Sequence, residues 1–235
     1  MSSALRIEAV DAIDIRVEAY DWPFARERAD DIDAHWQKLR AARPYLFDGR
    51  VFLFRNMKIA DARLTGFCFE VGYKAFLAQR DFGYPDREAF NCFAQGALRA
   101  PDGAFLLGEM AAHTANGGRI YFPAGTPEPS DVRQGRVDLD RSVLRELSEE
   151  TGLAADDVSP EPGWTVIFER QMIACLKPMR LKPDRATALK RIAAHIASEK
   201  QPELARVHVA ASRADIDAER MPLFIQAYLK RELAL

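Results

Sequence analysis

Apolar and polar positions divide the first 90 residues into strands and helices. Residues 5–18 alternate loosely between apolar and charged side chains, which predicts one or two β-strands. Residues 23–42 start with a proline and carry their apolar side chains on one face of a charged helix. After an Asp-Gly turn, residues 51–54 and 62–71 are predicted to be paired strands, and residues 73–82 a second helix. The pattern therefore predicts an α/β unit at this end of the chain.

From residue 91 onward the pattern again alternates between strand and helix. Residues 93–98 and 104–111 predict two strands around a Pro-Asp-Gly turn, and residues 164–176 predict one long bent strand or a hairpin. The other predicted elements are a strand at residues 119–122, an amphipathic helix that ends at Gly152, a loop bracketed by Pro178 and Pro183, a helix at residues 185–200, a strand entered from Gln201 and a last helix at residues 223–233. We expect an α/β (α+β) fold, with residues 1–90 as an N-terminal extension packed on a core of residues 91–235.

Composition and charge narrow the class of protein. The chain has 235 residues, of which 48% are hydrophobic and 29% charged, and its formal net charge is −2. Because there is no basic excess, bulk nucleic acid is not expected as a partner. The first residues lack the basic and apolar regions of a signal peptide, and no apolar run approaches a membrane span, so we expect a cytoplasmic protein without a membrane partner. Cys68, Cys92 and Cys175 are widely separated in apolar surroundings and are expected to be buried free thiols.

Charged residues are concentrated in residues 145–153, Arg-Glu-Leu-Ser-Glu-Glu-Thr-Gly-Leu. At about 100° per residue, Glu146, Glu149 and Glu150 fall on one face of a helix, separate from its apolar face. Like charges at this spacing destabilise a helix, so the arrangement requires a compensating cation. Arg145 supplies part of the compensation, because it lies four residues before Glu149 and can pair with it. The remaining negative charge suits a hard divalent cation with oxygen ligands, Mg²⁺ or Mn²⁺.

This stretch resembles the second half of the Nudix box, a family pattern written G-x5-E-x7-R-E-U-x-E-E-x-G-U, in which U is aliphatic. Residues 145–153 fill every fixed position from R-E onward. The glycine of the pattern, Gly152, also suits the end of a helix, where glycine adopts a left-handed conformation without a steric penalty. The resemblance implies a Nudix-type fold, in which a mixed β-sheet lies between helices.

The first half of the box departs from the family pattern. Counting back from Arg145, the first glutamate of the pattern falls on Val137 and the leading glycine on Asp131. Gly125 is a better counterpart of that glycine, because it ends a Phe-Pro-Ala-Gly stretch that resembles the Pro-Gly-Gly usually found before the loop. Gly125 and Arg145 are 20 positions apart where the pattern has 14, an excess of six. The extra residues are expected in the loop of residues 126–135.

The resemblance implies a metal-dependent pyrophosphohydrolase. In this reading the protein splits a phosphoanhydride bond in a small molecule, a nucleoside diphosphate linked to another moiety. The implied metal ligands are Glu149 and Glu150, with help from the backbone of Gly125. Glu146 would bind a second metal or orient the attacking water, and Arg145 would hold Glu149 in place.

Further site residues are implied by their positions relative to the family's elements. Nudix domains often place a late glutamate before a strand, where it adds to the metal site or serves as base. Glu203 occupies such a position, with Glu169 and Glu199 as competitors. His113 and Arg119 flank a polar loop that approaches the substrate in the family, and they are candidate substrate contacts, with an incidental surface loop as the alternative.

Two expectations concern the altered first half of the box. In the family, the first glutamate helps to hold the loop to the helix, and Asp138 or Asp140 is expected to substitute for it by capping the helix N-terminus. The longer loop of residues 126–135 is expected to project over the phosphate site and to take part in substrate selection, because unusually long loops in compact domains tend to be functional.

Two rival interpretations remain at this point. A Nudix-fold protein that binds a nucleotide without turnover, as a sensor or regulator, would use the same fold. A different α/β protein with a merely acidic helix would show no dependence on divalent metal. A homodimer is a candidate assembly, and the identity of the nucleotide derivative stays open.

Overall fold

The structure, a computed structural model, describes residues 5–233. Residues 1–4, part of the segment in which no signal peptide was recognised, and residues 234 and 235 lie outside the described residues. The helices are α1 (Pro23–Glu27), α2 (Ala29–Ala42), α3 (Tyr73–Asp81), α4 (Leu139–Thr151), α5 (Arg185–Ser198) and α6 (Leu223–Glu232). The strands are β1 (Arg6–Val10), β2 (Ala12–Val17), β3 (Arg50–Ala60), β4 (Arg63–Gly72), β5 (Asn91–Arg99), β6 (Phe105–Met110), β7 (Ile120–Tyr121), β8 (Ala124–Gly125), β9 (Val132–Arg133), β10 (Arg136–Val137), β11 (Val158–Pro160), β12 (Trp164–Glu169), β13 (Met172–Leu181) and β14 (Leu204–Ala210).

The strands form two mixed sheets. The first has nine strands, in the order β1-β12-β13-β5-β6-β14, with β11 beside β13, β7 beside β6 and β8 beside β5. The second has five strands, in the order β3-β4-β2-β10-β9. Each sheet contains one parallel pair, β13 with β5 in the first and β2 with β4 in the second. The predicted α/β (α+β) class is confirmed.

Strands are exchanged between the N-terminal region and the rest of the chain. Strand β1 pairs with β12 in the first sheet, while β2, which follows directly, pairs with β4 in the second. In return, β10 from the loop before α4 pairs with β2 at Arg136 and Arg16. The division between residues 90 and 91 stays a prediction, and each side of it contributes a strand to the sheet of the other.

Helices cover the first sheet on both faces. Val143 and Leu147 of α4 lie in one apolar cluster together with Ile192 of α5. Ile225 and Leu229 of α6 lie in a second cluster with residues of the central strands. A third cluster joins α1, α2 and α3 to the second sheet. Helix α4, which carries the acidic stretch, is therefore anchored by its apolar face on the first sheet.

Two predicted elements differ in the structure. The single helix expected over residues 23–42 is interrupted at Arg28, whose backbone (φ −114°, ψ 23°) separates α1 from α2. The prediction that a loop begins at Pro178 is wrong, because β13 continues through Pro178 to Leu181. Pro178 has no N–H to donate, but its carbonyl accepts a hydrogen bond from Glu161 N at 2.9 Å, so it stays within the sheet.

Other expectations are confirmed. Residues 164–176 form a hairpin, with Arg170 at positive φ (53°) in the turn between β12 and β13. In the described part of the chain, Cys68, Cys92 and Cys175 are all buried and unbridged. No helix within residues 5–233 is long and apolar enough to cross a membrane.

The end of α4 gives a test of how tightly α5 packs against it. Gly152 has φ 67°, and a β-carbon there would lie 2.6 Å from Cγ of His195. Gly152→Ala is expected to lose about 1 kcal/mol through backbone strain, and about 1–3 kcal/mol more through the clash. Chemical denaturation measures the loss.

Gly135→Ala is the matched control for this substitution. Gly135 also has positive φ (74°), but a β-carbon there would meet no heavy atom of residues 5–233 within 4 Å. The control is expected to lose only the strain contribution. Equal losses in the two variants would show that His195 does not hold the end of α4.

Candidate active site

The acidic face of α4 is fixed at both ends of the helix. At the N-terminus, Asp138 Oδ1 accepts a hydrogen bond from Arg141 N at 3.0 Å, so the predicted cap is Asp138. Asp140 instead contacts Lys177 Nζ at 3.0 Å and does not cap the helix. Gly152 ends the helix in the left-handed conformation, as predicted.

Arg145 is the centre of a network of carboxylates. Its Nη1 lies 2.9 Å from Glu146 Oε1 and 3.0 Å from Glu149 Oε2, so the predicted pair with Glu149 forms. The rest of the guanidinium donates to both oxygens of Asp131, from Nε at 3.3 Å and from Nη2 at 3.0 Å. Burial by itself lowers the pKa of Arg145, but Asp131, Glu146 and Glu149 outweigh it, so that the pKa is raised. One arginine thus pairs with three acidic side chains.

Asp131 is the site residue that sequence reasoning missed. It lies in the loop of extra residues, its side chain is fully buried, and Asp138 N donates to its carbonyl at 2.9 Å. The Nudix box pattern has a glycine at this position, so a comparison with the pattern does not indicate a role for the aspartate. The loop is therefore joined to α4 by Asp131 as well as by the Asp138 cap.

Glu150 is the most buried of the glutamates on α4. Its side chain lies on the inner side of α4, and Ala124 N donates to its Oε1 at 3.0 Å. Its Oε2 has no hydrogen-bond partner among the described residues. Burial is the main cause that raises the pKa of Glu150, and the charges of Glu146, Glu203 and Glu149 add to it.

Glu146 lies against the backbone of β8. A β-carbon at Gly125 would collide with the Glu146 carboxylate, so glycine is what allows the strand to approach this closely. Burial raises the pKa of Glu146 to about 7, with Arg145 opposing and Glu149 and Glu203 adding to the shift. The backbone of Gly125 is thus close to the Glu146 carboxylate, and Ala124 next to it donates to Glu150.

The structure also brings Glu203 to this cluster. Glu203 precedes β14, and its carbonyl accepts a hydrogen bond from Ala111 N at 2.8 Å. Desolvation, followed by the charges of Glu149 and Glu199, raises the pKa of the Glu203 carboxyl, while His113 opposes the shift. Of the two competitors, Glu199 lies 3.6 Å from His195 and is close enough to Glu203 to affect its pKa, while Glu169 lines the cavity that also includes Gly125.

The two candidate substrate contacts have different surroundings. His113 is exposed and close enough to Glu203 to affect its pKa, and its carbonyl accepts a hydrogen bond from Tyr45 Oη. Arg119 donates from Nη1 to the carbonyl of Glu219 at 2.9 Å and lines a cavity of about 400 Å³. This cavity reaches Gly125 and therefore opens beside the carboxylate cluster.

The loop of residues 126–135 does not project over the site as expected. The carbonyl of Pro127 accepts a hydrogen bond from Phe52 N, and that of Gly135 from Val17 N, both in the second sheet. Thr126, at its start, lines the cavity. The remaining residues fold into a short 3-10 turn and the β9–β10 hairpin, because their backbone groups find partners in the second sheet.

The donor chemistry of the cluster fits a hard divalent cation. Among residues 5–233, no three His, Cys, Asp or Glu side chains are already gathered around one point as in a formed metal site. Arg145 Nη1 lies between Glu146 and Glu149. Nevertheless, the ligand type is right, and the buried Glu150 Oε2 finds no protein partner within the described residues. Burial, followed by the repulsion between neighbouring carboxylates, raises the pKa values of these groups, and a bound cation would offset that repulsion.

Comparison with known proteins gives matches among solved structures alone. No protein-family model and no curated protein matches the chain. The MutT protein from Methanosarcina mazei Go1 is 19% identical, with a TM-score of 0.43, over 61% of this chain and 92% of that chain. The M. smegmatis Nudix hydrolase RenU is 17% identical (TM-score 0.39, 61% and 85%), and a Nudix hydrolase from Nitrosomonas europaea is 15% identical (TM-score 0.41, 60% and 86%). Two of these three proteins are Nudix hydrolases, the family whose box resembles residues 145–153 of this chain.

Proposed function

We propose that the protein is a Nudix-type pyrophosphohydrolase that uses Mg²⁺ or Mn²⁺. Its substrate class is a nucleoside diphosphate linked to another moiety, and the bond that breaks is the phosphoanhydride. The observation that carries this proposal is the cluster of Glu146, Glu149, Glu150 and Glu203. Glu146 and Glu149 contact Arg145, and Glu150 and Glu203 lie close enough to the other glutamates for their charges to raise one another's pKa values.

The residues of the cluster have separate roles in this proposal. Glu149 and Glu150 would hold the cation together with the backbone of Gly125, and Glu146 would hold a second cation or orient water. A bound divalent cation would neutralise phosphoryl oxygens as negative charge develops on them. The hydrogen bond from Ala124 N orients Glu150, and Arg145 orients Glu149.

Glu203 is proposed as the base that takes a proton from the attacking water. Its pKa is raised, which brings its proton affinity closer to the range useful near neutral pH. Its place before β14 puts it on a different element from the α4 glutamates.

The electrostatics of the cluster favour a hydrolase over a protein that only binds nucleotides. Burial and mutual repulsion raise the pKa values of Glu146, Glu150 and Glu203, so the cluster is costly to keep ionised. Without a cation it would also repel the phosphates of a nucleotide. A site that used its charges only for affinity would carry basic residues here.

The direct test is hydrolysis of a panel of nucleoside diphosphate derivatives in Mg²⁺ or Mn²⁺, with EDTA as the control. The expected products are a nucleoside monophosphate and the phosphorylated second moiety. Binding of a nucleotide without any such product, at every metal concentration, would identify a sensor instead. Absence of both binding and metal dependence would leave α4 as merely an acidic helix.

Glu150→Gln is expected to lower turnover at least about 100-fold, because metal-centred charge stabilisation contributes several kcal/mol. Stability without metal is expected to be unchanged or higher, since the amide still accepts from Ala124 N and removes a buried charge. An acid with a raised folded pKa loses stability as pH rises above its unfolded value of about 4.3, and the variant lacks this loss. Steady-state kinetics and urea unfolding in EDTA measure the two effects.

Glu27→Gln on α1 is the matched control, because the side chain of Glu27 is 65% exposed. This variant is expected to retain wild-type turnover and stability. Turnover of Glu150→Gln within about twofold of wild type would remove Glu150 from the proposed cation site.

Arg145→Lys is expected to raise the metal concentration for half-maximal activity by about 10-fold, with partial recovery in excess metal. Lysine keeps the charge, but it cannot bind both oxygens of Asp131 while also contacting Glu149. Metal titrations of activity measure the change, and Arg141→Lys on the exposed side of the same helix serves as control. An unchanged metal requirement with a raised KM would place Arg145 at the substrate instead.

A further inference from the structure

A cavity of about 400 Å³ lies beside the carboxylate cluster, and its wall contains none of residues 145–153. It extends from Ala124 and Gly125 to helices α3 and α6. Gln95 in its wall pairs across the sheet with Ala124, whose N–H donates to Glu150. A ligand that occupied this cavity would therefore have one end beside the proposed cation site.

Aromatic rings form much of the cavity wall. Tyr73 and Phe76 of α3 are stacked, with an interplanar angle of 14° and centroids 5.8 Å apart. Phe93 of β5 and Phe224 of α6 meet edge to face, with centroids 5.4 Å apart. The volume and the predominance of aromatic side chains are typical of pockets for flat, partly apolar small molecules.

Three polar residues in the same wall have acceptor oxygens without a hydrogen-bond donor among the described residues. Asn91 Oδ1, Gln95 Oε1 and Glu169 Oε2 are buried, and none of the three has a hydrogen-bond partner among the described residues. A buried acceptor without a partner costs about 1–3 kcal/mol, so such groups are rare unless a ligand satisfies them. Gln95 is only 1% exposed, so bulk water does not solvate its amide.

We propose that this cavity holds the nucleobase of the substrate, and that α3 of the N-terminal region is part of the substrate site. The inference rests on the proposed hydrolase function and assigns its nucleotide half to the cavity. A nucleobase is flat and apolar on its faces and presents N–H groups in its plane. Aromatic walls and unpaired acceptor oxygens complement these two properties. The diphosphate then extends past Gly125 toward the carboxylates.

The second moiety of the substrate fits this cavity less well. A sugar phosphate would leave the aromatic rings without a planar partner. Arg80 and Arg119, which also line the cavity, are the basic residues nearest to such a phosphate there, and Arg119 already donates to the Glu219 carbonyl. The two assignments of the cavity, to the base or to a sugar phosphate, can be distinguished by comparing the affinities of free ligands that have or lack a base.

The first experiment measures binding of nucleoside 5′-monophosphates and of ribose 5-phosphate by ligand-observed NMR titration in Mg²⁺. These ligands have no phosphoanhydride bond and are therefore not hydrolysed during the titration. The monophosphates are expected to bind at least about 10-fold more tightly than ribose 5-phosphate, because only they offer a base for stacking. Equal affinity for ribose 5-phosphate would overturn the assignment of the cavity to the base.

Gln95→Leu tests the acceptor oxygens without a change in side-chain volume. It is expected to weaken monophosphate binding about 5- to 10-fold and to raise KM by a similar factor with kcat within about twofold. Stability is expected to be unchanged or higher, because a buried oxygen that lacks a protein partner within residues 5–233 is removed. Gln171→Leu is the matched control: Gln171 also has a buried Oε1 without a partner in the described residues, but it does not line the cavity.

Tyr73→Ala tests the contribution of α3, with Phe47→Ala as the control. Phe47 belongs to the same N-terminal region, but its ring is 80% exposed and lies outside the cavity. Tyr73→Ala is expected to weaken monophosphate binding about 10-fold, while Phe47→Ala leaves it unchanged.

The outcomes distinguish this inference from the proposed function. If wild-type protein hydrolyses nucleoside diphosphate derivatives but Gln95→Leu and Tyr73→Ala bind monophosphates as wild type does, the cavity is not the base site and the hydrolase stands. If Gln95→Leu and Tyr73→Ala weaken monophosphate binding but no derivative is hydrolysed in any metal, the assignment of the cavity to the base is supported and the proposed hydrolase function is wrong.

Discussion

The ion pair between half-buried Arg145 and fully buried Asp131 is the interaction on which the arrangement of the site depends. A buried ion pair is stable only if its geometry is good and its remaining hydrogen-bonding capacity is used. Both conditions hold, because Arg145 binds both Asp131 oxygens and its third nitrogen reaches Glu146 and Glu149. Glu128 N and Asp138 N also donate to Asp131, at the side chain and the carbonyl respectively. The loop, the helix cap and the acidic face of α4 are thus held as one unit.

This unit couples the candidate active site to the second sheet. The residues after Asp131 form the β9–β10 hairpin, and β10 pairs with β2 of the N-terminal region. A longer loop would ordinarily add conformational entropy to be lost on folding. Here its backbone groups are satisfied by the second sheet, so the loop is ordered and carries a buried aspartate rather than a mobile lid. Strand β1 of the N-terminal region also joins the two sheets, because it pairs with β12 in the first sheet.

The carboxylate cluster carries an electrostatic cost that the fold does not remove. Helix α4 is anchored by Val143 and Leu147, which determines that Glu150 turns inward and Glu146 meets the backbone of Gly125. Such crowding would be eliminated if stability alone were optimised. Retention of one arginine among several glutamates leaves a net negative site, suited to a cation and to no anionic ligand without one.

The sequence by itself determined the elements with strong local signals. The spacing of Glu146, Glu149 and Glu150, a cap at Asp138 or Asp140 and the stop at Gly152 follow from helix geometry, which depends on neighbouring residues only. Tertiary structure decided the rest. Asp131 is an ordinary loop aspartate in the sequence, and only the folded hairpin brings it to Arg145. Pro178 predicts the end of a strand, but in the structure its own carbonyl accepts a hydrogen bond from Glu161 N and the strand continues. Likewise, Tyr73 and Gln95 have unremarkable positions on α3 and β5, and only the packing of the N-terminal region against the first sheet brings them to one cavity. Contacts between residues far apart in the chain leave no periodicity in the sequence, and these contacts are what complete the site.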